Sequence, residues 1–322
     1  MKKISIAYFG SSDFSADFLK KLIIDVLINQ LIEIRFVVTQ PDRPAGRKQI
    51  LTSTPVKTIA KKYGLKVLEI ENSLKIENLK LLAPRSLGEV GKIKNLDLCL
   101  LYAYAGIIPQ ELLTLPKYGF WCLHPSLLPK YRGTSPMATA LINGDKKTGV
   151  TIIKMDEEID HGPIIAQESL TIGKDDKRPD LETKLTDLGF EMFKSLLLSF
   201  PRRRESRLFS GSPIRSGMTS IPQNHSLATY TKKLSKNDGF ISFENLRKFL
   251  QPTNYNLQPI YNLFRGLYPW PGLWTILPNG KRLKIIELSL QPPPHNLQPT
   301  RVQLEGKNEV DFETFNKAYK IF

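Results

Sequence analysis

The sequence predicts an open, doubly wound α/β sheet followed by a smaller β-barrel. Three observations carry that expectation. Ile4 to Phe9 is an apolar run closed by Gly10, with the continuous hydrophobicity of a buried parallel strand. Helical and strand-like patterns then alternate as far as residue 200, which builds a mostly parallel sheet with helices on both faces. Beyond residue 230 the pattern changes to short strand-like pieces separated by turns, which suits a small barrel.

Taken in order, Phe14, Phe18, Leu22 and Val26 recur every fourth residue, so a helix follows the first strand with Ser12 or Asp13 near its cap. Ile32 to Thr39 is a second strand. It leads into Gln-Pro-Asp-Arg-Pro-Ala-Gly-Arg-Lys at 40–48, which two prolines and a glycine are expected to keep out of regular structure. A helix near 54–63, a strand near 65–69, a helix near 75–82, a strand at 96–103 and a strand ending in His124 continue the alternation. Val150 to Met155 and Gly162 to Leu170 read as a hairpin-like pair around an acidic stretch, and Leu181, Leu185, Leu188, Met192 and Leu196 form one face of a long helix. Residues 201–219 contain five arginines, one glutamate and no usable periodicity, so they read as a mobile linker or tolerated insertion. Phe240 to Phe243, Trp274 to Leu277 and Leu283 to Leu290 are the strand-like pieces of the second domain.

A length of 322 residues suggests two domains, and 46 Lys plus Arg against 31 Asp plus Glu give a formal charge of +15. Such a basic balance favours a polyanionic partner. Two cysteines, Cys99 and Cys122, cannot build a disulfide framework or a cysteine-rich metal site. The first apolar run is too short for a secretion signal, and no stretch approaches the roughly 18 apolar residues of a membrane span, so a cytoplasmic protein is expected. Gly10-Ser-Ser-Asp13 is not a dinucleotide-binding fingerprint.

His124, one of four histidines, stands at a strand end before proline-fixed backbone, where an open sheet of this kind places its ligands. Residues 122 and 124 share a strand face, so the Cys122 thiol and the His124 imidazole are able to address one reacting atom. Asp160, from the acidic stretch Met155 to Gly162, would hold or polarise the ring. Spacing alone leaves open a histidine that only hydrogen-bonds a loop.

Four blocks extend this reading: Thr39-Gln-Pro-Asp-Arg-Pro-Ala-Gly-Arg47, Ala103-Tyr-Ala-Gly-Ile-Ile-Pro109, His124-Pro-Ser-Leu-Leu-Pro-Lys-Tyr-Arg-Gly133, and Gly149 to Asp156 running on to Asp160-His-Gly162. Together they resemble the methionyl-tRNA formyltransferases, within the wider folate-dependent formyltransferases. Weaker agreement continues through Tyr230 to Lys236 and Arg265 to Gly272. The resemblance implies transfer of a formyl group from 10-formyltetrahydrofolate to the α-amino group of methionine on initiator Met-tRNA, without a metal. It implies a formyltransferase-like catalytic domain over 1–200, a linker over 201–229 that contains the 201–219 insert, and an OB-like, trimmed β-barrel for tRNA over 230–322. The chain is expected to act as a cytoplasmic monomer with no membrane attachment.

In the family an Asn-x-His pair and a distant Asp form the site, so His124 and Asp160 match two catalytic positions. At the third, Cys122 stands where the family has asparagine. The same resemblance assigns Ala103, Tyr104, Ala105, Ile107, Ser126, Leu127, Leu128 and Pro129 to the folate pocket, with Ala105 in place of a family glycine. It assigns Arg43, Arg47 and Lys48 to tRNA contact from a proline-stiffened loop, continued by Lys232, Lys233 and Lys236. An amide N–H is a strong donor and a thiol a weak one, and losing one oxyanion donor costs about 2.7–4 kcal/mol. Impaired transfer is therefore expected. A catalytically lapsed tRNA-binding homologue and a formyltransferase acting on an amino sugar nucleotide are the alternatives.

Overall fold

The computed structural model describes residues 3–46, 49–71, 93, 95–199, 220–292 and 296–322. Its strands are, in chain order, β1 (Ile4–Phe9), β2 (Ile32–Thr39), β3 (Arg43–Ala45), β4 (Ile50–Thr52), β5 (Val67–Glu69), β6 (Leu98–Tyr102), β7 (Phe120–His124), β8 (Arg132–Gly133), β9 (Lys147–Lys154), β10 (Ile164–Thr171), β11 (Tyr230–Thr231), β12 (Leu273–Ile276), β13 (Arg282–Leu290), β14 (Leu297–Leu304) and β15 (Glu309–Asp311). The described helices are α1 (Asp13–Asn29), α2 (Pro55–Lys62), α3 (Gln110–Leu113), α4 (Pro136–Ile142), α5 (Arg178–Ser199), α6 (Phe243–Leu250), α7 (Gln258–Leu267) and α8 (Phe312–Tyr319). Two compact units result. The first comprises Met1–Arg132, Gly149–Ser169 and Thr183–Thr229, and the second Gly133–Thr148, Leu170–Glu182 and Tyr230–Phe322. The helix expected near 75–82 and the 201–219 insert lie outside the described residues.

In the first unit seven strands form one sheet in the order β10-β9-β7-β6-β1-β2-β5. Neighbours from β7 to β5 pair in parallel, and β9 joins β7 antiparallel. This is the mostly parallel sheet that the alternating pattern predicts. β1 lies in its interior, and both of its faces are covered. Ile6 and Tyr8 point to the side of α1 and α5, where Phe18 packs against Tyr102, Phe190 and Phe193 with ring centroids 5.4, 5.9 and 6.3 Å apart. Ala7 and Phe9 join Phe36, Val38, Cys99 and Phe120 in a separate core on the opposite side. A strand buried on both faces needs apolar residues at consecutive positions, which explains the unbroken run at 4–9.

Ser12 caps α1 by accepting the Ser15 N–H at 3.3 Å, as its position before the periodic run suggests. Gly10 follows β1 because a Cβ there would stand 1.9 Å from the Ser15 hydroxyl. In α5 the buried face uses Leu181, Leu185 and Met192 as expected, but Phe190, Phe193 and Leu197 complete it. Leu188 and Leu196 are only half-buried.

One expectation is corrected at residues 40–48. Arg43–Ala45 pairs antiparallel with Ile50–Thr52, so part of the stretch is a short ribbon. An isolated two-stranded ribbon leaves one edge free of ladder bonds, where proline is tolerated. The base of the ribbon is held by Thr39 and Thr54, whose hydroxyls are 2.7 Å apart, and by Lys57. The Lys57 side chain is almost wholly buried, and its ammonium contacts Asp42 at 2.7 Å and Glu69 at 2.8 Å.

The second unit is built on a four-stranded antiparallel sheet, β12-β13-β14-β15, consistent with the small barrel expected. Phe264, Leu283, Ile285, Val302, Leu304 and Phe315 are central to its core. α4 packs on α7, and Gly266 permits the approach: a Cβ there would lie 2.8 Å from the Ala138 carbonyl. Arg265 ties the 173–176 segment to α7 by donating to the Asp176 carbonyl at 2.7 Å and the Gly173 carbonyl at 2.6 Å. The strand expected at 240–243 reduces to a single bridge between Phe240 and Trp274. Ser242 then caps α6 by accepting the Asn245 N–H, which ends the extended stretch. β8 and β11 occur where the chain passes from one unit to the other. No helix among the described residues is long and apolar enough to cross a membrane.

The Lys57 hydrogen bond holds the Asp42 carboxyl below the usual range, and the same bond raises the Lys57 ammonium. A carboxyl whose folded value is the lower one contributes stability above its unfolded pKa, about 3.9, and loses it as pH falls through the folded value. The amide resonances of residues 43–45 and 50–52 are therefore expected to hold their native shifts at pH 7 and to leave them below about pH 4. In Lys57→Met they should already be displaced at pH 7, a result readable by two-dimensional NMR.

Candidate active site

β7 carries the two residues that the sequence singles out at its end. Its register sets Cys122 opposite Leu101 of β6 and Ile153 of β9, and His124 opposite Thr151 of β9. The chain leaves β9 into a loop whose base is closed by Met155 donating to the Phe120 carbonyl at 2.8 Å and Lys154 to the Pro163 carbonyl at 3.0 Å. Gly162 allows this closure, since a Cβ there would fall 1.9 Å from the Lys154 carbonyl. The loop presents Asp160, whose backbone φ of 52° lies in the left-handed region that L-residues seldom occupy.

His124 and Asp160 meet as the sequence predicts. The ring is 4 % exposed, with Nδ1 3.4 Å from Asp160 Oδ2 and Nε2 2.8 Å from the Tyr131 carbonyl. A carbonyl only accepts, so Nε2 carries a proton and Nδ1 is the ring nitrogen that faces the carboxylate. Cys122 is half-buried and close enough to Asp160 to feel its charge. Burial pushes its thiol far above the ordinary value, and the carboxylate adds to the rise. The thiol thus stays protonated at neutral pH, which removes the thiolate that a cysteine nucleophile requires.

The turn after His124 is rigidly tied. Ser126 is buried, its hydroxyl donating to the Lys130 carbonyl at 2.6 Å. Thr151 donates to the Ser126 carbonyl at 2.7 Å and accepts the Leu128 N–H at 3.1 Å, while Gln167 donates to the Leu128 carbonyl at 2.9 Å. Leu128 is buried, and Leu127 and Pro129 are half-buried. Beyond β6, Ala103 has a φ of 50°, Ala105 is exposed and Ile107 is 73 % exposed. Tyr104 sets its ring edge-on to Phe9 at 5.6 Å. Its hydroxyl is buried without a hydrogen-bond partner among the described residues, and burial pushes its pKa up to about 12. An unsatisfied buried hydroxyl is the kind of group that a bound polar ligand would satisfy.

The expected basic residues fall in both units. Arg43 is exposed on the β3–β4 ribbon, whereas Arg47 and Lys48 lie outside the described residues. In the second unit Lys232, Lys233 and Lys236 are exposed, with Lys232 paired to Asp238 and the Lys236 ammonium 5.8 Å from the Trp274 ring centroid.

Sequence reasoning missed a cluster just beyond the insert. Residues 220–229, expected within a linker, pack inside the first unit, with Ile221 and Ile164 exchanging backbone hydrogen bonds at 2.8 Å. Gln223 donates to the carbonyls of Asp160 and Gly162 at 3.0 and 2.8 Å and accepts from Arg132 Nη2 at 2.7 Å. Arg132 Nη2 is also 2.7 Å from Nδ1 of His225, whose ring stacks on His161 at 3.9 Å. His161 in turn holds Asp156 at 2.6 Å. A glutamine in an aperiodic segment carries no sequence signal for this role.

A formyl transferase family model matches residues 2–197, and a formyl transferase C-terminal domain model matches residues 233–321. Methionyl-tRNA formyltransferase of Caldicellulosiruptor saccharolyticus is 37 % identical over 287 residues, spanning 89 % of this chain and 80 % of that protein. The enzyme of the same name from Geobacter metallireducens is 36 % identical over 290 residues, 90 % of this chain and 81 % of its own. Among solved structures, an N-formyltransferase from Helicobacter canadensis in complex with folinic acid and dTDP-3-aminofucose superposes with a TM-score of 0.57. It shares 19 % identity, covers 89 % of this chain and 88 % of its own, and supports the fold.

Peptide-resolved alkylation checks the state of the thiol. At pH 8, iodoacetamide should modify Cys122 in the folded protein about 10²-fold or more slowly than free cysteine. Asp160→Asn should accelerate it only slightly, because burial outweighs the charge. Rapid labelling of the folded wild type would instead reveal a nucleophilic cysteine.

Proposed function

The chain belongs to the formyl transferase family, and we propose that it transfers a formyl group from 10-formyltetrahydrofolate to the α-amino group of methionine on initiator Met-tRNA. The observation that carries this reading is the His124–Asp160 pair at the end of β7, in a chain 37 % identical to a methionyl-tRNA formyltransferase. In the reaction the amine lone pair forms a bond to the formyl carbon and the carbonyl electrons move onto oxygen. Collapse of the tetrahedral intermediate breaks the bond to N10 of the folate, and the proton lost by the amine ends on that nitrogen. His124 is suited to relay this proton at Nδ1, because Asp160 faces that atom and steadies the imidazolium formed in passing.

Cys122 occupies the position from which a donor would address the oxyanion. Its thiol is protonated, so it offers an S–H, but one far weaker than an amide N–H. The reading is therefore a transferase with a weakened oxyanion site. Cys122 also favours a second reading, a homologue that binds tRNA but has lapsed as a catalyst. The Tyr104 hydroxyl and the exposed Ile107 are proposed to receive the folate, together with Ala103, Ala105 and the 126–129 turn. The relative that binds folinic acid and an amino sugar nucleotide keeps the third reading in view. Against an amino sugar nucleotide stand the +15 charge and the identity to the tRNA enzymes.

Arg43, carried on a ribbon whose base Lys57 and Thr54 tie down, is proposed to meet tRNA phosphate with little entropy left to lose. Lys232, Lys233 and Lys236 are proposed to contact tRNA phosphate from the second unit. The substrates are those of translation, which places the proposed enzyme in the cytoplasm. A monomer suffices, because His124, Asp160 and Cys122 come from one chain.

Single-turnover transfer from 10-formyltetrahydrofolate to Met-tRNA tests the proposal. Cys122→Asn should raise the rate by about 10²–10³ by restoring a donor worth about 2.7–4 kcal/mol. tRNA binding without transfer in either protein would leave the lapsed homologue standing. Arg43→Ala should weaken tRNA binding by about 1 kcal/mol or less and reduce its salt dependence. Folate affinity should be unchanged in that variant, and equal loss of both ligands would count against a tRNA-specific contact.

A further inference from the structure

We propose that Gln223 is a positioning residue that holds Asp160 against His124. Its kinetic consequence rests on the formyl-transfer reading, whereas the bracing itself does not.

The argument begins with the backbone of Asp160. Its φ of 52° lies in the left-handed region, which aspartate tolerates better than most L-residues but still at some cost, so a brace on its backbone helps to keep it there. Loop closure at Lys154 and Pro163 fixes the two ends. At the tip, one side-chain amide reaches two of the loop's backbone carbonyls. Gln223 Nε2 has two protons, and two loop carbonyls receive them, Asp160 at 3.0 Å and Gly162 at 2.8 Å. These carbonyls flank the turn on which the catalytic carboxylate stands.

The amide has one workable orientation. Its oxygen accepts from the Arg132 guanidinium at 2.7 Å, so a flipped amide would set N–H against N–H and oxygen against two carbonyl oxygens. Gln223 is 5 % exposed and Arg132 is 2 % exposed, so water does not replace these bonds readily. The segment that carries Gln223 is itself pinned. Ile221 exchanges two backbone bonds with Ile164, Arg132 donates its N–H to the Thr229 carbonyl at 2.8 Å, and Tyr131 donates to the Thr229 hydroxyl at 2.9 Å. The Tyr131 carbonyl is the acceptor for His124 Nε2. The 220–229 segment therefore touches the supports of both partners, Asp160 through Gln223 and His124 through Thr229 and Tyr131.

A second grip lies beside the first. His225, reached by the same Arg132 nitrogen, stacks on His161, the residue after Asp160. A loop held at 160, 161 and 162 has little freedom to carry its carboxylate away from the ring. Displacement of a catalytic group by about 1 Å is enough to cost a large part of a rate.

The test uses the full chain, both as wild type and as Cys122→Asn, with Gln223→Ala and Gln223→Glu made in each. Gln223→Glu keeps an acceptor for Arg132 but turns oxygens toward the two carbonyls. Both changes should lower kcat by about tenfold or more while KM for Met-tRNA stays within about twofold. In an Asp160→Ala background the Gln223→Ala change should cost almost nothing further, because the residue acts through Asp160. Hydrogen exchange of amides 156–163 should quicken in Gln223→Ala while the β1 and β6 amides keep wild-type protection. Additive losses with Asp160→Ala, wild-type kcat in Gln223→Glu, or unchanged exchange of 156–163 would each overturn the proposal. Should neither wild type nor Cys122→Asn transfer formyl, the functional reading fails, and the exchange result alone then decides whether Gln223 braces the loop.

Discussion

Because β9 runs antiparallel to β7 in a sheet that is otherwise largely parallel, the chain returns alongside the strand that carries the histidine and turns within its reach. His124 opposite Thr151 and Cys122 opposite Ile153 fix that register. A slip of one residue would turn every side chain of β9 to the other face. Thr151 would then no longer bind the Ser126 carbonyl and the Leu128 N–H, and the turn after His124 would lose its central tie. The loop at 155–163 depends on the same pairing, since its first hydrogen bond joins Met155 to the Phe120 carbonyl in β7. The position of the Asp160 carboxylate thus follows from strand register before any interaction of its own.

That register is protected by burial. Leu123 and Ile152, paired across the two strands, are both essentially inaccessible, and Gly189 of α5 would bring a Cβ to 3.0 Å from Leu123. Phe193 of α5 contacts Trp121 with ring centroids 6.4 Å apart. The long helix therefore clamps the apolar side of β7, while the alternate residues Cys122 and His124 are the ones to which the proposed chemistry is assigned. Alternation along one short strand separates the packing role from the reactive one.

What the sequence made legible follows from periodicity and from short-range chemistry. β1 matches the run 4–9 because a doubly buried strand must be apolar throughout, while β2 matches 32–39 through its buried second half, with Glu33 and Arg35 exposed in the first. Ser12 was legible as a cap because a cap acts on its own helix. The ribbon at 43–52 was not, since prolines that usually interrupt strands are tolerated on a two-stranded edge. At the site, His124, Cys122 and Asp160 could be named from strand spacing, an acidic stretch and a family pattern. Gln223 could not, because its partners at Asp160 and Arg132 lie 63 and 91 residues away and no local pattern links them. A buried side-chain amide that joins distant backbone carbonyls leaves no trace in periodicity, and only the folded chain shows it.

In the proposed site, Cys122 leaves the architecture in place while supplying a weaker donor than an amide. Cysteine is compact and apolar enough to stay in a half-buried strand position between Leu101 and Ile153 without disturbing either neighbour. Burial raises its pKa and the Asp160 carboxylate raises it further, so a thiolate is disfavoured. Ionising it would place a second negative charge beside the one that His124 requires, so the two anions would compete for a single imidazole. The thiol is therefore confined to the neutral form, in which it can act only as a weak donor. The proposed proton relay and oxyanion contact are therefore separable: the histidine and aspartate are set by β7, β9 and the Gln223 brace, whereas the proposed oxyanion contact would depend on one side chain. On the proposed reading, such a chain keeps the His124–Asp160 geometry and would be limited at a single hydrogen bond.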